Sequence, residues 1–235
     1  MKGKQKHSSL RRSNQGFTLI ELMVAMVVSL LALAAIYSTF QSQHQSYQLQ
    51  RETADMQQNI RTAMYYMQRE IRMAGSDPFN KGAFGITAAN ATSITFTEDV
   101  GGNNTGDPPD GDVADPGENI TYQLDTNRNL VRIDNTVAPP ASQIVAQNID
   151  ALDFVYLDGS SAPLNSGGGG VPAPLYSEIQ SVEITIVART GDQLFRGTQN
   201  NNTYKNQQGY TIYNANDYRS RRILTTLVNC RNIGL

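Results

Sequence analysis

The chain has 235 residues, a net charge of −2, no tryptophan and one cysteine. A lone Cys230 excludes an intramolecular disulfide, and only two histidines, His7 and His44, leave little for imidazole-based metal or triad chemistry. The acidic balance argues against nonspecific nucleic-acid binding. The charge is unevenly spread. Residues 1–16 carry Lys2, Lys4, Lys6, Arg11 and Arg12 and no acid, so taking those five positives from −2 leaves the remainder near −7.

After this basic leader, from Phe17 to Phe40, the only charged side chain is Glu21. A helix over 17–38 would span about 33 Å, enough for a bilayer core. The basic flank predicts that its side stays cytoplasmic and the C-terminal bulk is exported. A secretory signal peptide shares this layout, with Ala32-Leu33-Ala34 as a small-residue cleavage pattern. A permanent single-pass anchor shares it too. Neither accounts for Glu21, since a charge at the centre of a membrane helix costs roughly 2.5–3.5 kcal/mol. A lipoprotein is set aside because no cysteine lies near the segment.

The run Gly16-Phe17-Thr18-Leu19-Ile20-Glu21-Leu22 resembles the processing site of type IV pilins and type II secretion pseudopilins. That resemblance implies cleavage between Gly16 and Phe17 by a membrane-bound prepilin peptidase and N-methylation of Phe17. It also implies that Glu21 pairs with the terminal amine of a neighbouring subunit. The pair would act as a register device: apolar helices slide, and one charge pair in low dielectric sets the step. Within the family, Met56-Gln57-Gln58-Asn59-Ile60-Arg61 and Arg69-Glu70-Ile71-Arg72-Met73-Ala74-Gly75 are most similar to PilW-type minor pilins. So are Tyr218-Arg219-Ser220-Arg221-Arg222 and Leu224-Thr225-Thr226-Leu227-Val228.

Beyond Phe40 the pattern becomes amphipathic. Leu49, Met56, Ile60, Met64 (or Ala63), Met67, Ile71 and Ala74 recur mostly at three- and four-residue steps and draw one apolar stripe. Arg51, Glu52, Asp55, Arg61, Arg69 and Arg72 fall largely off it, and Tyr65-Tyr66 is expected at the core edge. Gly75 is a natural terminator, with Arg72 in the last turn and Pro78 beyond. One helix over 17–75 is predicted, transmembrane over 17–38 and amphipathic over 39–75.

Residues 76–235 read as a β-rich exported domain. Strand-like runs lie at 92–97, 120–124, 130–133, 149–157 and 182–188, and residues 125–129 form the loop of a predicted hairpin. The alternation over 181–187 predicts one buried face. The fold class is therefore α+β: a long N-terminal helix packed on a mainly antiparallel sheet, pilin-like in layout. Residues 101–117 and 160–174 read as loops, and a third polar region spans 199–216. Cys230 reads as a small buried hydrophobe.

Asp107, Asp110, Asp112 and Asp115 form an acidic loop whose hard oxygen ligands suit calcium, although the spacing is not that of an EF-hand. A solvated acidic loop is the alternative. Lys205, Arg219, Arg221 and Arg222 lie among tyrosines, as an anion-binding patch or an ordinary β-edge. Nucleophile signatures, phosphate loops and zinc spacings are absent, so no enzyme and no cofactor are expected. The resemblance implies a minor pilin of a priming or tip complex, held in the inner membrane before processing. Its implied partners are prepilin peptidase, other minor pilins, the major pilin and the assembly platform. The runner-up is a J-type minor pseudopilin of type II secretion. From another class, the competitor is a membrane-anchored periplasmic binding module that never polymerises.

Overall fold

The structure is a computed structural model that describes residues 16–82, 84–102, 106–165, 168–191 and 199–233. The chain divides into two compact units after Gln48. One helix, α1, spans Leu19–Met73.

The first unit holds the apolar part of α1. Its best 18-residue window has a mean hydropathy of 2.6, and none of that window is buried. The helix is therefore long and apolar enough to cross a membrane. Ser29 Oγ donates to the Ala25 carbonyl and Thr39 Oγ1 to the Ala35 carbonyl. Hydroxyls satisfied within the helix in this way suit apolar surroundings.

The second unit holds the amphipathic end of α1 and the sheets. Met56, Ile60, Ala63, Met64, Met67 and Ile71 on α1 are buried, with Ala74 just beyond. Leu49, first in the stripe, is exposed, and Tyr65 and Tyr66 are exposed rather than at the core edge. The helix ends as its composition dictates. Gly75 takes φ +81°, and its N–H donates to the Thr97 carbonyl at 2.9 Å.

Strands β1 (Gly85–Ala89), β2 (Ser93–Thr97), β3 (Asn119–Leu124), β4 (Leu130–Asp134) and β5 (Ala141–Ala146) form an antiparallel sheet in chain order. Leu124 pairs with Leu130 across the predicted five-residue loop, where the Asp125 carboxylate accepts from the N–H groups of Asn127 and Asn129. Strands β6 (Ile149–Leu157), β7 (Ser181–Arg189) and β10 (Arg221–Asn229) form a second antiparallel sheet, ordered β10-β7-β6. The short β8 (Thr203–Lys205) and β9 (Thr211–Asn214) pair as a hairpin. The expected single sheet is thus several.

One apolar cluster joins Met67 and Ile71 of α1 to Phe96 and Tyr122 of the first sheet and to Phe154, Ile184 and Val228 of the second. Cys230 is buried in the same cluster. The expectation of a single buried face on β7 needs correction, because residues 181–188 are buried throughout. The polar region 199–216 is the reason. Asn206 Nδ2 donates to Asp153 at 2.9 Å and Gln208 Nε2 to Glu183 at 3.3 Å, covering the polar face with hydrogen-bonding groups.

Candidate functional site

Gly16 and Phe17 lie just before the helix, and both are exposed, Phe17 to 94%. Thr18 and Glu21 then close on each other. The Thr18 N–H and Oγ1 donate to Glu21 Oε2 at 2.9 and 2.8 Å, and the Glu21 N–H reaches back to Thr18 Oγ1 at 3.3 Å. This is a capping box: a hydroxyl at the N-cap and a carboxylate three residues on satisfy the first free N–H groups of a helix. The Thr-x-x-Glu spacing was in the sequence and is the signal that reveals it. Among the described residues nothing donates to Glu21 Oε1, so one carboxylate oxygen remains available. Ile20, Val24, Ala25 and Val28 form an apolar groove beside it.

A second polar constellation, unforeseen from sequence, lies inside the head. Glu70 is 8% exposed. It accepts from Tyr122 Oη at 2.8 Å and from Arg132 Nε at 2.9 Å. Burial, followed by the Glu70 charge, pushes the Tyr122 phenol well above its usual range. A carboxylate three residues after Met67 and four before Ala74 was the available signal, since that spacing places it on the apolar stripe.

Asp150 anchors a third. A register shift between Ile149 and Ala151 in the β6–β7 pairing makes it the extra residue of a bulge. Its carboxylate meets Arg189 Nε at 3.1 Å and Arg221 Nε at 2.6 Å. Arg221 also grips Asp217 with both Nη atoms, at 2.6 and 2.7 Å, and lies over the Tyr213 ring at 5.0 Å. Its side chain is fully buried. Arg221 is therefore spent on carboxylates of its own chain and is taken out of the anion patch considered from the sequence.

In the loop between β2 and β3, the structure brings Asp110, Asp112 and Asp115 together, with carboxylate oxygens within 4.8 Å of one another. Asp107, the fourth residue expected there, is outside the group. Its Cβ lies against Gly102, and Pro108-Pro109 separate it from Asp110. Among the described residues the group holds carboxylates alone.

Residues 11–37 match the family model described as the prokaryotic N-terminal methylation motif. The amino-terminal segment is of prepilin type. The match contains the Gly16–Phe17 junction, Glu21 and the apolar run as far as Tyr37. A type IV-like pilin from Thermus thermophilus is similar in structure at 12% identity and a TM-score of 0.46, over 76% of this chain and 97% of that one. No curated protein sequence matches the chain.

Proposed function

We propose that this chain is a structural subunit of a pilus-type filament, a minor pilin of the PilW type, and not an enzyme. The observation that carries the reading is the single carboxylate, Glu21, placed at the start of an exposed apolar helix directly after Gly16-Phe17 and inside the methylation motif. The unprocessed chain sits in the inner membrane with its basic leader cytoplasmic and its head exported. Prepilin peptidase cuts between Gly16 and Phe17, which removes five positive charges and creates one ammonium at Phe17; methylation keeps that group cationic.

Assembly then follows from the physical chemistry of the helix. Apolar faces leave lipid for contacts with the helices of other minor pilins and the major pilin on the assembly platform. Glu21, already fixed by the Thr18 hydrogen bonds, offers its remaining oxygen to the Phe17 amine of a neighbour. In low dielectric this pair sets the register, because displacing one partner leaves a buried charge uncompensated, at about 3–5 kcal/mol.

Mass spectrometry of the protein from its native membrane tests the reading. A chain beginning at N-methyl-Phe17 is expected. A chain that keeps Met1, or begins near Ala35, overturns it and leaves an anchored or secreted β-rich module. Co-purification with a pilus platform, rather than a type II secretion platform, separates the PilW-type assignment from a J-type pseudopilin.

A further inference from the structure

The loop joining β2 to β3 concentrates negative charge in a small volume. Asp99 lies at its entry, Asp110, Asp112 and Asp115 lie along it, and Glu118 closes it. Gly111, between the first two of the central acids, takes φ +87°, a turn that glycine adopts without strain. The carboxylates of Asp110, Asp112 and Asp115 thereby converge to within 4.8 Å of one another.

Oxygens this close can share one hard cation, since calcium binds oxygen at about 2.3–2.6 Å. Three carboxylates from one loop suit calcium, which takes six to eight oxygen ligands, rather than magnesium, which is usually held by one or two carboxylates and keeps several waters.

Burial supplies a second, independent observation. Asp115 is only 7% exposed, yet its Oδ2 is buried and has no hydrogen-bond partner. Asp99, 1% exposed, likewise leaves Oδ1 without one, while its Oδ2 accepts from the Gly111 N–H at 2.9 Å. Buried carboxylate oxygens ordinarily find a donor or a cation. The carboxylates of Asp110 and Asp112 lie beside that of Asp115. Like charges gathered around a buried, unsatisfied oxygen are what a cation relieves. The nearby Lys81 ammonium donates to the Asp110 backbone carbonyl at 3.3 Å.

We propose that Asp110, Asp112 and Asp115 bind one calcium ion, with the buried Asp115 as the fixed ligand and the two outer carboxylates closing on the ion. Binding pins the loop to the end of β2, where Asp99 already holds the Gly111 backbone.

The experiment uses the full chain in detergent, stripped with a chelator and titrated with calcium chloride or magnesium chloride. Calorimetry and thermal unfolding are read together. One calcium per chain is expected, with a rise in Tm that magnesium does not reproduce at equal concentration. Asp112→Asn, at an exposed position, is expected to weaken calcium binding at least about tenfold, because a ligand charge is lost, while Tm in chelator does not fall. Asp115→Asn is expected to abolish binding, with chelator Tm as the check on folding. Equal responses to calcium and magnesium, no saturable binding, or unchanged affinity in Asp112→Asn would each overturn the site.

Discussion

Glu70 of α1 and Arg132 of β4 meet at 2.9 Å inside the head, 62 positions apart in the chain. Tyr122, on the neighbouring β3, donates to the same carboxylate. The helix is thus joined to the first sheet by a charged, hydrogen-bonded contact within an apolar interface. Removing one partner of such a pair leaves the other buried and uncompensated. Glu70→Ala is expected to lower unfolding stability by about 3–5 kcal/mol. Glu70→Gln, which keeps an acceptor for Tyr122, should lose less. Urea unfolding of the full chain in detergent measures both, and equal stability of Glu70→Ala and the parent would refute the assignment.

Glu98, at the end of β2, gives the head a pH dependence. Its Oε2 is buried without a partner. Burial, then the Glu70 charge, raises its pKa from 4.5 to about 7, with Arg132 and Arg69 acting in the opposite direction. The unfolded chain releases this proton near 4.5 and the folded chain near 7, so the folded state binds more protons in between. Stability from this group therefore falls as pH rises across that window, and the loss is complete above it. Glu98→Gln is expected to flatten the dependence and raise Tm at pH 8. A parent whose Tm climbs steadily from pH 5 to pH 8, with no change in the variant, would contradict this.

Gly75 stands where α1 must stop. Its φ is +81°, and a Cβ there would lie 2.9 Å from the Asn232 carbonyl oxygen. Gly75→Ala combines left-handed backbone strain with a backbone clash, so a loss of about 1–3 kcal/mol is expected. A variant as stable as the parent would show that the helix end and the C-terminal segment are not held together as described.

Glu21→Ala tests the assembly mechanism apart from anchoring. The helix remains apolar, so membrane insertion is expected to be normal or improved. Recovery in sheared surface filaments should fall to background if Glu21 sets the register as proposed. Unchanged filament recovery would support an anchored module that does not polymerise.

Several features were legible in the residues because they are local. The long helix follows from periodicity and from the absence of proline over 17–75. Its stop follows from Gly75. The strands at 120–124, 130–133, 149–157 and 182–188 follow from apolar, β-branched composition. Strand β10 was harder to read, because Ile223-Leu224, Thr225-Thr226 and Leu227-Val228 come in like pairs and break the period-two alternation. Strand β5, Ala141-Ser142-Gln143-Ile144-Val145-Ala146, does not alternate and β1 is short, so neither carries much signal.

The sequence by itself determined the amino-terminal motif. A Gly-Phe junction, a lone carboxylate and an apolar run all lie within about 25 consecutive residues, where chain connectivity alone sets the spacing. Tertiary structure alone decided which charged groups are internal. Glu70 with Arg132, Asp150 with Arg221, and Asp115 among its neighbouring acids are set by sheet register, a β-bulge and loop closure. Those distances arise only when segments far apart in the chain pack together, because burial and pairing are properties of neighbours in space.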